Sequence, residues 1–124
     1  KVKEGYKCVI EDGREMIDIT PVELAKRAET LGAGEIIINS VDQDGMMQGY
    51  DIDLVKSVVE SVKVPVTAIG GAGGINDLKK VLHEGHAHAA AGGSMFVYYG
   101  RLKAVLITAP SEEELTQAGI YKEI

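Results

Sequence analysis

The sequence predicts an alternating α/β fold, a parallel sheet built from right-handed βα units. Three observations carry that prediction. Glu35 to Asn39, an Ile-rich run without polar alternation, reads as a strand buried on both faces, as parallel strands usually are, and Val64 to Ile69 reads as the next strand. Between them lie stretches of about ten residues whose apolar side chains recur at helical spacing. The connections are short, and most of the fifteen glycines gather in clusters there rather than in a repeat.

The elements follow in order. Tyr6 to Ile10 reads as a short strand, running into a polar turn at Glu11 to Arg14. Met16 to Ile19 is a loop or a second short arm. A helix starts at Thr20, with Pro21 at its first position and Glu23 completing a capping box. Leu24, Ala28 and Leu31 form its apolar face, and Gly32 and Gly34 stop it. After the Glu35 to Asn39 strand, Asp51 and Asp53 are candidate caps for a helix with the stripe Leu54, Val55, Val58, Val59 and Val62. Val64 to Ile69 ends in the run Gly70 to Gly74. The next helix, Asn76 to Glu84, turns Leu78, Val81 and Leu82 inward and stops at Gly85. Ala87 to Ala91 is a small-residue strand ending in Gly92-Gly93-Ser94. Leu102 to Ile107 is apolar enough for a strand, a helical turn or a packing arm. Ser111 with Glu114 forms a second capping box, opening a short helix before Gly119.

Composition removes several functions. The chain has 124 residues, enough to bury a core as one domain spanning 1–124. Its formal net charge of -6 argues against non-specific nucleic-acid binding, which needs a basic footprint. With one Phe, five Tyr and no Trp, a base-stacking platform is not expected either. The single Cys8 excludes an internal disulfide framework and a cysteine-only metal cage. No apolar run approaches the ~20 residues of a membrane span, and no signal-like segment opens the chain. The expectation is a cytoplasmic, enzyme-like piece without membrane contact.

In parallel α/β units, chemistry gathers where strands end and loops begin. Three such ends stand out. Asn39 to Gly45 carries Asp42 and Asp44, which lie on opposite sides if the strand persists, so that one faces a ligand and the other braces the loop. Gly70 to Gly74 and Gly93-Ser94 offer backbone N–H groups unobstructed by Cβ atoms, a serine hydroxyl and helix starts, all suited to one anion. The glycines fit neither G-x-G-x-x-G nor a phosphate-binding loop ending in Gly-Lys-Ser/Thr. His83, His86 and His88 fall at a helix end and in the following connection, away from the glycine ends, and are not expected to bind metal. Cys8 reads as a half-buried strand residue, and Met46-Met47 as a lid or a packing contact beneath one.

The segments Gly32-Ala33-Gly34-Glu35-Ile36, Asn39-Ser40-Val41-Asp42-Gln43-Asp44-Gly45, Gly49-Tyr50-Asp51 and Pro65 to Gly73 together resemble the cyclase subunit of imidazole glycerol phosphate synthase. The resemblance runs to about Gly100. It implies a TIM (βα)8 barrel, of which this chain is about the C-terminal half, from the end of the family's fifth strand to its eighth helix. It further implies ammonia-dependent closure of an imidazole ring on a phosphorylated ribulosyl substrate, with ammonia from a glutaminase partner.

The family's two catalytic aspartates, at the ends of its first and fifth strands, are not in this sequence, so no residue here is expected to be catalytic. What carries over is a phosphate site: Asp44, Gly45, Gly70, Gly71, Gly93 and Ser94, with Asn39 and Asp42 in support. No cofactor and no metal are implied. Asn39, Gln43 and Ile69 depart from the family's usual threonine, arginine and small hydroxylic residue. The tail Ser94 to Gly100 with Leu102 to Ile107 looks more like a relative that accompanies a glutaminase and an amidotransferase in surface-polysaccharide amino-sugar biosynthesis. A phosphate-binding half-barrel without catalysis is the third expectation. On each, the unpaired sheet edges require either the remaining half of a barrel or a second copy of the chain.

Overall fold

The computed structural model describes residues 1–121. Its centre is a parallel sheet of three strands, β3 (Ile36–Asn39), β4 (Val66–Ile69) and β5 (Ala89–Ala90), hydrogen-bonded in that order. The register sets Asn39 beside Ile69 and Thr67 beside Ala89, and the ladder continues past β5 through the Ala91 N–H to the Ala68 carbonyl at 2.8 Å. Helix α2 (Ile52–Val59) joins β3 to β4, and α3 (Ile75–His83) joins β4 to β5. Both crossovers advance in one direction along the sheet, and the right-handed rule then carries their helices to one face. This is an alternating α/β fold with partial TIM-barrel topology.

The faces of the sheet are unequal. Val66 and Ala68 are wholly buried, with Val58 and Val81 from the helices buried as completely. On the opposite face Ile37 is 67% exposed. The continuous apolar strands therefore do not mean burial on both sides here. They supply one helix-covered face and one open apolar face, which in a closed barrel would point to the interior.

Helix α1 (Pro21–Thr30) begins as its sequence predicts: Thr20 accepts from the Glu23 N–H at 3.2 Å, and the Glu23 carboxylate accepts from the Thr20 N–H at 2.8 Å. Its packed side is not the predicted one. Ala25 is buried with Val22 alongside, whereas Leu24 is exposed and Leu31 is 80% exposed. Periodicity located an apolar stripe, but the covered side lies toward α2 and β4, and the leucine face has no neighbour among the described residues.

Residues 6–10 add no strand to the parallel sheet. Val9–Ile10 (β1) pairs antiparallel with Glu15–Met16 (β2), and Cys8 extends that contact, donating its N–H to the Ile19 carbonyl at 2.9 Å and accepting from the Ile17 N–H at 3.0 Å. A run of five suitable residues becomes a strand only where a partner backbone lies alongside. A second hairpin, β6 (Tyr98–Tyr99) with β7 (Ala104–Val105), resolves the apolar segment at 102–107 and follows a short helix, α4 (Ser94–Val97). Helix α5 (Glu112–Gln117) carries the second capping box, in which Ser111 accepts from the Glu114 N–H at 3.2 Å.

Both boxes are acid-sensitive. Hydrogen bonds from the Thr20 and Ser111 backbone and side-chain donors hold Glu23 and Glu114 below the usual glutamate range. A depressed carboxylate stabilises the folded state above its unfolded value, about 4.3, and loses that contribution as pH falls through the lower native value. Helical circular dichroism is expected to decline over that acid interval. A variant pair T20A and S111A should show a smaller decline, and an unchanged profile would show that the caps contribute nothing.

Candidate anion site at the strand ends

The carboxyl ends of β3, β4 and β5 lie side by side, and the loop after β3 crosses all three. Strand β3 stops at Asn39, and the chain turns at once: Gln43 and Asp44 both donate backbone N–H groups to the Ser40 carbonyl, at 3.1 and 2.9 Å. Strand alternation therefore does not place Asp42 and Asp44. The turn does. The loop next passes over the end of β4, where the Gly49 N–H donates to the Gly71 carbonyl at 2.8 Å. It reaches the end of β5 through Tyr50, whose hydroxyl donates to the Ala91 carbonyl at 2.6 Å. Asp51 then caps α2, accepting from the Leu54 N–H at 3.1 Å and from the Tyr6 hydroxyl at 2.7 Å. Asp53 lies in the first turn of that helix and is not its cap. Burial and the Asp51 carboxylate push the Tyr6 phenol upward, so it remains a donor.

Under this loop is a small cavity of about 70 Å³, lined by Asp44, Gly45, Ile69, Gly70, Gly71, Ala72, Gly92, Gly93 and Ser94. That is roughly twice the ~30 Å³ share of one water in the liquid, suiting one small group rather than a whole sugar phosphate. Asp44, Gly45, Gly70, Gly71, Gly93 and Ser94 are thus brought together. Asn39 stands behind them, its amide 3.5 Å from an Asp44 carboxylate oxygen. Asp42 does not join them: it is exposed and does not line the cavity.

Among the described residues, the backbone N–H groups of Gly70, Gly92, Gly93 and Ser94 make no hydrogen bond, and neither does the Ser94 hydroxyl. No Lys, Arg or His lines the cavity, so an anion there would be held by backbone dipoles and one hydroxyl. The Asp44 carboxylate repels a phosphate and suits a ligand hydroxyl instead. The start of α3 is already occupied: Asp77 accepts from the Gly73 N–H at 2.9 Å. Only the first two glycines of the Gly70 to Gly74 run face the cavity.

Those two glycines have a packing role as well. Gly70 has φ +92° and Gly71 φ +111°, backbone conformations that L side chains rarely adopt. A Cβ on Gly71 would sit 2.1 Å from the Gly49 carbonyl oxygen, and one on Gly73 2.4 Å from that of Met47. The glycine run admits the loop above it. Met46 is exposed and Met47 half-buried, with Met47 at φ +57°.

The remaining candidates lie elsewhere. His83 hydrogen-bonds the Ile120 carbonyl at 3.2 Å, and His88 Nδ1 accepts from the Val66 N–H at 3.1 Å. His86 and His88 line a separate cavity of about 880 Å³ between α3, β5 and α5, with walls that are otherwise mainly apolar, including Leu78, Phe96 and Leu115. It is larger, but it is not lined by the strand-end glycines. Cys8 is half-buried outside any assigned strand, and burial pushes its thiol up. Among the described residues no helix is long and apolar enough to cross a membrane.

Residues 1–103 match the family described as Histidine biosynthesis protein. The chain belongs to that family. Within it, the sequence is similar to imidazole glycerol phosphate synthase subunits. It is 42% identical over 113 residues to hisF3 of Vibrio vulnificus, named for that synthase, covering 91% of this chain and 44% of the relative. It is 45% identical over 100 residues to the synthase subunit HisF of Desulfosudis oleivorans, covering 81% and 38%. With HisF of Alkaliphilus metalliredigens the identity is 41% over 101 residues, covering 78% and 40%. The matched stretch spans less than half the length of each relative. The match to the family ends at residue 103, at the tip of the β6–β7 hairpin.

Tyr50 is the residue at this site that sequence reasoning passed over. Its signal was modest: one of five tyrosines, directly following the loop glycine Gly49. It is 8% exposed, and burial together with the Asp77 charge pushes its phenol up to about 12, keeping the hydroxyl a donor.

Proposed function

We propose that this chain, residues 1–124, is the C-terminal half-barrel of an enzyme with ammonia-dependent cyclase chemistry of the imidazole glycerol phosphate synthase type. It supplies one phosphate site. The phosphate of a phosphorylated ribulosyl substrate sits in the cavity at the strand ends, receiving hydrogen bonds from the Gly70, Gly93 and Ser94 N–H groups and the Ser94 hydroxyl. Asp44, steadied by Asn39, accepts from a hydroxyl on the carbon chain. The observation that carries this reading is that residues from two strand ends whose N–H groups make no hydrogen bond line one small cavity of about 70 Å³.

Catalysis requires residues this chain does not hold. The open apolar face at Ile37 and the exposed Leu24 and Leu31 supply surface for the rest of a barrel, five strands to the three present here. The catalytic aspartates come from that portion, and the ammonia from a glutaminase subunit.

Titration of the chain with inorganic phosphate and ribulose 5-phosphate, followed by phosphorus NMR and calorimetry, tests the site. Both ligands are expected to bind. Ser94→Ala should weaken them by about 1–3 kcal/mol, the range for a hydroxyl donating to a charged oxygen. An absence of binding would remove the phosphate reading, and unchanged affinity in S94A would remove Ser94 from it. Turnover of ammonia is expected only with the complementary barrel portion present.

A second reading has its own support. Gln43 is neutral, Ile69 puts an aliphatic side chain in the cavity wall, and the β6–β7 hairpin extends beyond the family match. These features favour a cyclase-like partner of a glutaminase and amidotransferase in surface-polysaccharide amino-sugar biosynthesis, with the same phosphate site and a different ammonia acceptor. Comparing the two acceptor classes in a turnover assay separates the readings.

A further inference from the structure

The loop after β3 forms one wall of the cavity, with Asp44 and Gly45, while Gly92, Gly93 and Ser94 form the wall on the far side. The two walls belong to strands that do not touch, because β4 lies between β3 and β5. Something must set the distance between them. The loop's internal bonds, from Gln43 and Asp44 to Ser40 and from Met46 to Gln43, shape its turn but do not tie it to β5. The Gly49–Gly71 hydrogen bond ties it to β4 alone.

Tyr50 is the tie to β5. Its hydroxyl donates to the carbonyl of Ala91, the residue immediately before Gly92-Gly93-Ser94. Ala91 is itself fixed from the other side, since its N–H donates to Ala68 of β4. The tyrosine ring is anchored independently, in the apolar cluster with Val55, Ala68, Ala72, Leu78 and Val81. A rigid ring thus spans from the helix-covered core to the residue that precedes the far wall. The hydroxyl adds a hydrogen bond whose loss would leave the ring packed and the Ala91 carbonyl without that donor.

We infer that Tyr50 is a positioning residue that sets the width of the anion cavity by clamping the loop after β3 to the end of β5. The inference rests on the phosphate reading of that cavity. Tyr50 does not touch the ligand. It holds the Gly93 and Ser94 N–H groups at the spacing a phosphate requires, and without the clamp those donors must be ordered at the expense of binding.

Tyr50→Phe tests this against Val55→Ala, a variant that loosens the same apolar cluster without touching the clamp. Both are measured on the full chain with inorganic phosphate, at a temperature where circular dichroism shows each to be folded. Y50F is expected to raise the phosphate dissociation constant about tenfold and to speed amide hydrogen exchange at residues 92–94 in the free protein. V55A is expected to lower the melting temperature at least as much while leaving phosphate affinity within twofold of the parent. Equal affinity in Y50F and the parent would overturn the clamp while leaving the phosphate site standing. Equal weakening in Y50F and V55A would also overturn it, reducing Tyr50 to an ordinary core residue. A parent chain that binds no phosphate would overturn the site and the clamp together.

Discussion

Gly71→Ala is expected to destabilise the fold by about 3 kcal/mol and to abolish phosphate binding. Two effects act together. The residue sits at φ +111°, so any Cβ is strained before it meets a neighbour. The Cβ would then lie 2.1 Å from the Gly49 carbonyl oxygen, a backbone atom held by its place in the loop that crosses β4. Relieving that overlap means lifting the loop and breaking the 2.8 Å hydrogen bond from the Gly49 N–H to Gly71 itself. Gly74, three residues on, is the control: its backbone is extended and no atom lies within 4 Å of its Cβ position. Gly74→Ala should cost under about 1 kcal/mol, as expected at a helix cap whose glycine makes no side-chain bond. Urea unfolding of the two variants beside the parent measures the difference directly. Similar midpoints for G71A and G74A would show that the loop yields, and that its contact with the glycine run is not structural.

The largest effect on binding without loss of fold is expected from Ser94→Asp. Ser94 is half-buried at the first position of the four-residue helix α4. For a phosphate in the cavity the same carboxylate is a like charge at close range. At about 4 Å and an effective dielectric constant of about 20, the repulsion is about 4 kcal/mol. Asp44 already lines the opposite wall, and no cation there offsets a second negative charge. Phosphate affinity should therefore fall about a thousandfold, while Ser94→Asn, similar in size and neutral, should lose far less. Calorimetric titration with matched thermal melts separates a binding effect from a folding effect. If S94D keeps phosphate affinity within threefold of the parent, the anion binds somewhere else.

Much of the architecture could be read before any coordinate was known, and the reasons are local. Thr20 with Glu23 and Ser111 with Glu114 are reciprocal contacts over three residues, so four side chains and their spacing suffice to locate two helix starts. The order of strands and helices follows from the alternation of apolar runs and glycine breaks. Six of the nine residues lining the cavity were named by the family resemblance, and the gathering of their strand ends has a physical reason. In a parallel α/β sheet every strand ends on the same side, so glycines and short polar residues at successive strand ends must gather there.

The misplaced elements share a different cause. The leucines of α1 have helical spacing, but which stripe is covered depends on where α2 and β4 lie, and Ala25 won that face. Tyr6 to Ile10 has strand-like residues, but its backbone partners are the local arm at 15–19, reached from Cys8, Val9 and Ile10, and not the parallel sheet. Asp42 and Asp44 have the same chemistry and are separated only by Gln43. A turn closing on the Ser40 carbonyl puts one in the cavity and the other outside. Asp51 and Asp53 differ in the same way, one capping α2 and the other lying in its first turn.

Sequence by itself determined the alternating α/β class, the caps, the strand-end positions of the glycines and the family to which the residues point, because each rests on interactions within a few residues or on a motif. Tertiary structure alone decided which side of each helix is covered, that one face of the sheet stays open, and that Tyr50 reaches from β3's loop to β5. Those depend on backbones brought together from positions about forty residues apart, and no local pattern encodes the distance between them.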